Sequence, residues 1–568
     1  MARTKKNRIL SCDFETNYSI PTWVWAYTIV DIYSEEVVNT GSDIVSFLDD
    51  LHDGDLCFFH NAKFDCTFLI DLFYRCGFKY RDFIEESMQA DVFDVSRKLH
   101  DNEFTIVMNM QRLFYSMRMK RNGKTIEFRD SWKKVPFKVS EIGNSFFGIK
   151  DLEKFKIAYR KFRIPFMPLT DEEKEYIERD AIIVARALKE LFNAGLDKLT
   201  ISADALAKYR SIVPAKKFAK LFPVMSKGEY KYIHDSYKGG YTYVRKDFEG
   251  IDIYGAMGHT VDKNSLYPYT QVNYPMPIGA PVYFVGKYKE DRNHPLYIQR
   301  VHVMFQLKPY HLPTIQIKGN IRFYVPTEYL ECSDGMCELT LTRPDMELLL
   351  EHYNIIEIDY IDGFKFMQSM TLFNDYIYPI YEQKCITKGA KRSINKLQLV
   401  SLYGKFAKSI DVSHIKPTFE ESTVKYKSIV KEFCDGLYIP VGTYITAWAR
   451  WDTITNCQRM YDIFRYTDTD SYHFDGAVPG WLEIHPTKLG ACKVENYWTR
   501  ARFIQAKRYM EINDFTGEVV VKCAGMSDDA KAFATWDNFK NGSTFKGGLK
   551  ARNVPGGIIL VDSDFKMS

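Results

Sequence analysis

Apolar and polar residues alternate along "RILSCDFET" (8–16) and "WVWAYTIV" (23–30), the period of two that marks half-buried strands. A helical pattern follows at 42–52, a short strand at 55–59 and a second helical stretch at 64–76. Apolar spacing in "DEEKEYIERDAIIVARALKELFNA" predicts one long helix over 171–194, stopped by Gly195. Together these describe an α/β domain of roughly 190 residues. Beyond it, 211–235 reads as a Lys- and Pro-containing connection that leads into "YKGGYTYV". Residues 258–269 read as a strand entering a turn, 280–375 as strands and turns, 376–407 as helical and 411–440 as a mixed insertion. A helix over 443–463 leads into a hairpin at "YTDTDS" (466–471). There is no internal repeat and no low-complexity tract.

The 568 residues, 46% hydrophobic and 26% charged, suffice for three to five domains at about 150 residues each. A net charge of +4, from 77 basic and 73 acidic residues, leaves any nucleic-acid argument to local charge. The 11 cysteines, among them Cys12, Cys57, Cys66, Cys76 and Cys523, lack paired metal spacing and read as free thiols of a reducing compartment. "MARTKKNRILSCDFE" lacks the apolar core of a signal peptide, and no apolar run is long enough to span a membrane.

Candidate chemistry starts with Asp468 and Asp470. Two residues apart in a strand or tight hairpin, they share a face and concentrate negative charge that a divalent cation would turn into a ligand set. A surface loop is the plain alternative for a lone D-x-D. A second set lies in the first domain. "CDFET" places Asp13 and Glu15 on one strand face, with Cys12 and Phe14 toward the core, and "FFHNAKFDCTFL" brings Asp65 near Asn61 and Phe64. On the 171–194 helix Tyr176 and Asp180 sit one turn apart. Four carboxylates from three segments can hold two divalent ions for phosphodiester hydrolysis, with Tyr176 orienting the attacking water. Taken singly, each acid is a cap or a surface ion pair.

D-x-E, N-x-x-x-D and Y-x-x-x-D in this order resemble the signature of the DEDDy 3′–5′ exonucleases, the proofreading domains of family B DNA polymerases. The resemblance implies an exonuclease-site lysine near Lys154, with Lys150 as competitor, and a polymerase downstream. Its third acid is then Asp262 in "VDKNSLYPY", grouped with Asp468 and Asp470, and Val261 is placed with the same metal set. Tyr267, otherwise a core aromatic, would pack beneath the sugar and reject a 2′ hydroxyl. "YEQKCITKGAKRSINKLQLVSLYGKFAKS" supplies Lys384, Lys391, Arg392, Lys396 and Tyr403. Positions 392, 396 and 403 fall within about 20 to 40° of one another on a continuous helix, a stripe suited to polyphosphate and base. By resemblance Lys384, Arg392 and Lys396 bind phosphate and Tyr403 packs the nucleotide. The family's N-S-x-Y-G is departed from at Val400, which puts an apolar group where an amide is usual.

"YKGG" (Tyr237, Gly239, Gly240) resembles the family's template-binding Y-x-G-G, and "QAKRYM" its K-x-Y primer motif, giving Lys507 and Tyr509. Thr499 and Arg500 precede that motif as further DNA contacts, and Glu495 is a supporting acid. Ser131, Lys133 and Lys134 in "DSWKKVPFKV" are expected single-strand contacts, with Asn61 and Phe64 at the editing site.

Two insertions in the polymerase part, and the length as a whole, resemble the protein-primed DNA polymerases of small tailed bacteriophages. This implies an α/β and α+β multidomain fold: a ribonuclease H-like 3′–5′ exonuclease domain, then a right-hand polymerase of palm, fingers and thumb with two subfamily insertions. Expected boundaries are 1–198 for the exonuclease domain, 199–304 for a linker and the first palm part, and 305–370 for the first insertion, against terminal protein or duplex. Palm end and fingers helices occupy 371–410, the second insertion, for tunnel and strand displacement, 411–435, the palm 436–508 and the thumb 509–568. Implied partners are DNA template and primer, deoxynucleoside triphosphates, a terminal protein as primer, and single- and double-strand DNA-binding replication proteins. Two Mg²⁺ ions at each site, with Mn²⁺ as substitute, and the cytoplasm of an infected bacterium complete the expectation. An oligonucleotide-primed enzyme without terminal protein is the alternative. A nuclease with a C-terminal binding module leaves Asp262 and the basic stripe without a role, a noncatalytic scaffold has no need of two intact acid sets, and a reverse transcriptase leaves the editing signature unexplained.

Overall fold

The computed structural model describes residues 7–83, 98–109, 111–148, 162–316, 329–408, 411–433 and 437–567. The first domain is an eight-stranded sheet built from β1 (Ile9–Thr16), β2 (Val24–Asp31), β3 (Val37–Gly41), β4 (Leu56–Phe59), β5 (Lys79–Tyr80), β6 (Glu103–Met108), β7 (Phe114–Arg121) and β8 (Lys124–Asp130). Its order is β3-β2-β1-β4-β8-β7-β6-β5, with β1 and β4 parallel at the centre. Alternation in β1 works as expected: Leu10, Cys12 and Phe14 enter the core, and Asp13 and Glu15 take the other face. The helix Asp171–Asn193 covers that sheet, burying Ala181, Val184, Ala185 and Leu188 against Val30, Ile32 and Phe58. Thr170 and Glu173 start it with a reciprocal capping box.

The expected connection at 211–235 is instead helical, in the segments Ile201–Ile212, Ala215–Leu221 and Lys227–Asp235. Its proline and serine act as punctuation: Pro214 precedes one helix, and Ser226 caps the next through Glu229. The apolar faces of these helices pack on the helix Asn374–Ile386 through Tyr209, Phe222 and Tyr376.

The palm sheet has the order β20-β11-β19-β18-β9, from β9 (Thr242–Val244), β11 (Gly258–Lys263), β18 (Phe464–Asp468), β19 (Ser471–Asp475) and β20 (Cys492–Trp498). The helix Ile439–Arg459, which begins four residues before the expected start, is buried along most of its length. A second small sheet, β10 (Asp252–Ile253), β21 (Arg500–Gln505), β22 (Arg508–Asn513) and β23 (Glu518–Cys523), packs against the palm. The strand-rich region forms a sheet of β12 (Met276–Val285), β13 (Leu296–Leu307), β14 (Cys337–Thr342) and β15 (Tyr353–Ser369), with the helix Arg343–His352 on it. The helical run is three pieces, Asn374–Ile386, Gly389–Ser401 and Tyr403–Phe406, and the expected continuous stripe is interrupted at Leu402. The mixed insertion is one hairpin, β16 (Asp411–Glu420) with β17 (Thr423–Phe433).

The last hairpin, β24 (Thr544–Val554) with β25 (Gly557–Lys566), returns to the first domain. Its turn is seated there: Thr22 N–H donates to the Pro555 carbonyl (3.0 Å), and Gly556 N–H to Asp71 Oδ1 (3.1 Å). Gly556 has φ +93°, and a Cβ on it would stand 2.0 Å from the Thr22 carbonyl oxygen. The β16–β17 hairpin leans on the same helix, Lys63–Arg75, where Tyr74 donates to the Pro417 carbonyl (2.8 Å). Ile415, Val424 and Ile558 thereby complete the core of the first domain. The ten described cysteines are free thiols, and no described helix is long and apolar enough to cross a membrane.

Candidate active sites

In the first domain, Asp13, Glu15, Asp65, Tyr176 and Asp180 line one cavity of about 320 Å³, together with Asn61 and Phe64. Strand β1 supplies the first two acids, and Asp65 sits in the first turn of the helix Lys63–Arg75. Burial pushes Asp13 up to about 8, helped by the neighbouring Asp180. Glu15 and Asp65 are raised well above the ordinary carboxylate range by burial and then by Asp13. Asp180 is raised by burial against the opposing pull of Arg179, whose guanidinium lies 3.3 Å away. Burial raises all four, and a neighbouring carboxylate adds to it at Asp13, Glu15 and Asp65.

Two cavity residues, and one beside the cavity, escaped the sequence reading or only framed it. His60 Nε2–H donates to the Phe137 carbonyl (2.8 Å), with Nδ1 2.9 Å from Ser131 Oγ. Asp130, just outside the cavity at the end of β8, accepts from the backbone N–H of Asn61 (3.1 Å) and Ala62 (3.2 Å), fixing the turn in which Asn61 has φ +67°. Leu560 reaches the cavity from β25, a contribution no local motif announces. Two expected single-strand contacts are interior groups instead. Ser131 is fully buried and donates to the Phe59 carbonyl (3.1 Å), and Lys134 is buried in an ion pair with Asp204. A desolvated lysine is tolerated where a carboxylate meets it, which is why Lys134 turns inward. Lys133 is half-buried, 3.5 Å from Asp130. Lys154 and Lys150 lie outside the described residues.

In the palm, Asp262 at the end of β11 pairs in register with Ser471, and Asp468 at the end of β18 pairs with the same residue from the other side. Asp470 stands between them, its carbonyl accepting from Lys263 N–H (2.7 Å). The turn is tight: Asp470 N–H donates to the Asp468 carbonyl two residues back (2.7 Å), with Thr469 at φ +64°. A β-branched residue is strained there, and three contacts hold it. Thr469 N–H donates to the Tyr241 carbonyl (2.7 Å), its own carbonyl accepts from Thr453 (2.8 Å), and Gly240 passes so close that a Cβ would lie 2.7 Å from the Thr469 side chain.

Burial and the Asp262 charge push Asp470 up to about 7, and burial with Glu495 pushes Asp262 up to about 6. Lysines answer this charge. Lys507 Nζ donates to both Asp468 oxygens (2.7 and 2.9 Å), and Lys493 Nζ lies 2.7 Å from Glu495 and 3.6 Å from Asp262. The rings of Tyr267 and Tyr403 pack with centroids 4.5 Å apart and planes tilted by 31°, despite the break at Leu402. Lys384 Nζ donates to Ser265 Oγ (2.9 Å) and is pushed down to about 8 by burial, then by Arg392, Lys396 and Lys493. Arg392, Lys391 and Lys396 are exposed, as is Val400. Burial, and then the neighbouring Tyr403, raises the Tyr237 hydroxyl, and the Gly239 carbonyl accepts from Arg450 (2.9 Å).

Thr499 and Arg500 both turn to Asp514, at 2.8 and 2.9 Å. Tyr509 is buried among Tyr466, Phe503 and His473, so it supports the hairpin that carries Lys507 rather than lying open. The Val261 side chain is wholly in the core, leaving its main chain as the part a ligand could meet.

Among the described residues, no three carboxylate, imidazole or thiol groups form a preassembled metal cage. The donor chemistry nonetheless fits hard divalent ions: oxygen-only clusters, partly buried, whose mutual repulsion a cation relieves.

A family model, DNA polymerase type B, organellar and viral, matches residues 52–477. The DNA polymerase of Bacillus phage Nf is 37% identical over 587 aligned positions, covering 98% of this chain and 99% of that protein. That of Bacillus phage phi29 is 36% identical, covering 98% of each. The structure of phi29 DNA polymerase with primer-template DNA and incoming nucleotide superposes with a TM-score of 0.90 at 34% identity, over 99% of this chain and 100% of that one. Templated DNA synthesis and 3′–5′ exonucleolytic proofreading are accordingly joined in one polypeptide. The chain belongs to the type B DNA polymerases of organelles and viruses, within the protein-primed group of the phi29-like phage enzymes.

Proposed function

We propose that Asp262, Asp468 and Asp470, with the Val261 main chain, serve nucleotidyl transfer, and that Asp13, Glu15, Asp65 and Asp180 serve hydrolysis of a mispaired primer end. Each set would hold two Mg²⁺ ions, which Mn²⁺ can replace. Bound there, such ions supply an activated oxygen nucleophile and stabilise charge on the leaving oxygen. The chain's own groups do the rest. Tyr267 and Tyr403 form an aromatic floor for the sugar and base of the incoming nucleotide. Lys384, Arg392 and Lys396 face its triphosphate, and Lys391 adds long-range attraction from the same helix. Lys384, lowered by burial and then by its cationic neighbours, is favoured in its charged form beside a polyanion.

Lys507 exchanges Asp468 for the primer backbone, on a hairpin that Tyr509 stiffens. Tyr237, Gly239, Gly240 and Thr499 guide the template and primer. In the editing cavity, Asn61 and Phe64 grip the 3′ nucleotide and Tyr176 orients water. Lys154 is retained as the proposed exonuclease-site lysine. A terminal protein hydroxyl starts synthesis, the sheet Met276–Ser369 meets that protein or the duplex, and the β16–β17 hairpin aids strand displacement. Single- and double-strand DNA-binding proteins act alongside it in the bacterial cytoplasm.

The observation that carries this reading is the convergence of Asp262, Asp468 and Asp470 on one tight turn beside the Tyr267–Tyr403 pair. Extension of a primed single-stranded circle with Mg²⁺ and four deoxynucleotides tests it. The intact chain makes products many circle lengths long, and Asp468→Ala makes none while still degrading the primer. Degradation by both proteins without extension would reject the polymerase assignment. Radiolabel transferred to a protein hydroxyl, against label found on oligonucleotide ends alone, separates protein priming from the alternative.

A further inference from the structure

Beneath the palm acids lies a buried polar cluster that neither acid motif contains. Antiparallel register sets Asn496, Thr260 and His473 side by side on β20, β11 and β19. This row is two residues along β11 and β19 from the level of Asp262, and three along β20, where a bulge shifts the register, so Thr260 and His473 face the same side of the sheet as Asp262. Glu511 descends onto it from β22. His473 Nδ1–H donates to Glu511 Oε1 (2.6 Å), Thr260 Oγ1 donates to the same oxygen (2.8 Å), and Asn496 Nδ2 donates to Oε2 (2.9 Å). His473 and Glu511 are 0% and 1% exposed. On its other edge, His473 Nε2 lies 3.2 Å from the hydroxyl of Ser471, the residue opposite both Asp262 and Asp468.

The two ends of this cluster matter. One end is the metal-facing turn. The other is the β21–β22 hairpin, whose tip places Lys507 on Asp468 and whose Lys507 N–H donates to the Tyr466 hydroxyl (2.9 Å). Apolar contact alone would let two sheets slide. A carboxylate satisfied by donors from three strands has one position that keeps all three bonds, and any displacement leaves a buried charge unsatisfied.

We propose that His473 and Glu511 are positioning residues for synthesis: they fix the register between the acid-bearing turn and the primer-binding hairpin, and so place the primer 3′ end against the acids. The inference rests on the assignment of Asp262, Asp468 and Asp470 to nucleotidyl transfer. Neither residue touches substrate; each acts through Thr260, Ser471 and the β21–β22 hairpin.

The test compares Glu511→Gln, Glu511→Met and His473→Phe with the intact chain and with Asp468→Asn, in single-turnover addition of one matched nucleotide. Expected for Glu511→Met and His473→Phe is a fall of about 10- to 100-fold in the maximal addition rate. Half-saturation for the nucleotide stays within about threefold, and single-strand hydrolysis within about twofold. On primed duplex the balance moves toward degradation. Glu511→Gln keeps an acceptor for His473 and Thr260 and recovers most of the rate. The proposal is overturned if Glu511→Met and His473→Phe add nucleotide at the intact rate. It is equally overturned if hydrolysis and thermal stability fall in step with synthesis, which would make the cluster a general stabiliser. Full synthesis by Asp468→Asn would instead defeat the acid assignment itself, whatever the Glu511 variants do.

Discussion

The two acid clusters solve one electrostatic problem differently. In the first domain, four carboxylates share one partly open cavity, and the described cation beside them is Arg179, on Asp180. In the palm, three carboxylates meet at an open turn, and Lys507 and Lys493 already answer Asp468, Glu495 and Asp262. Burial is the largest cause in each: Asp13 is pushed up to about 8, Asp470 to about 7 and Asp262 to about 6. Burial raises all four carboxylates of the first-domain cluster above their ordinary range. In the palm, Lys493 opposes the upward push of burial and Glu495 on Asp262, and Lys507 pairs with Asp468.

Substitution should break the comparison most sharply. Asp468→Asn is expected to lower synthesis more than about 1,000-fold and leave single-strand hydrolysis intact, and Asp65→Asn to do the reverse. Primer extension and hydrolysis of a single-stranded oligonucleotide, measured on the same preparations, check both halves. Acidification sharpens it next. A carboxyl with a raised pKa is protonated below that value and then cannot ligate. Between about pH 8 and pH 6, the Mg²⁺ concentration for half-maximal hydrolysis should therefore rise more steeply than that for synthesis. Parallel Mg²⁺ titrations at several pH values decide this, and equal slopes would remove the electrostatic distinction.

A smaller effect is expected from the seat of the last hairpin. Gly556→Ala forces a Cβ against the Thr22 carbonyl at a positive φ and should cost about 1–3 kcal/mol, read as a lowered unfolding midpoint. Because Leu560 lines the editing cavity, hydrolysis should fall before synthesis does. The smallest effect belongs to Val400→Asn. The side chain is exposed on the basic helix, so restoring the family's amide should change nucleotide half-saturation by no more than about two- to threefold, with stability within about 0.5 kcal/mol.

What was legible in the sequence was local. Asp13 and Glu15 announce a strand face, and Tyr176 and Asp180 a helix face, because side-chain direction follows from the backbone period. The hairpin at Asp468 and Asp470 was legible for the same reason. What failed depended on partners distant in the chain. Lys134 looked like a surface cation until Asp204 met it, and Ser131 like a DNA contact until β4 and His60 enclosed it. The segment 211–235 read as a connection because its helix caps resemble loop residues in isolation. Leu560, and the placing of Glu511 beneath β11 and β19, arise from strands that meet only in the folded molecule.

The seating of Pro555 and Gly556 on Thr22 and Asp71 also sets an order of events during synthesis of the protein itself. The first domain leaves the ribosome early, but Ile415, Val424 and Ile558 belong to its core. At about 5–20 residues per second, the stretch between Thr22 and Gly556 takes roughly half a minute to two minutes to translate. Until the β16–β17 hairpin and then the last hairpin are made, the helix Lys63–Arg75 of the nascent first domain lacks those apolar neighbours. The core of the first domain is therefore completed last, although its acids are made first.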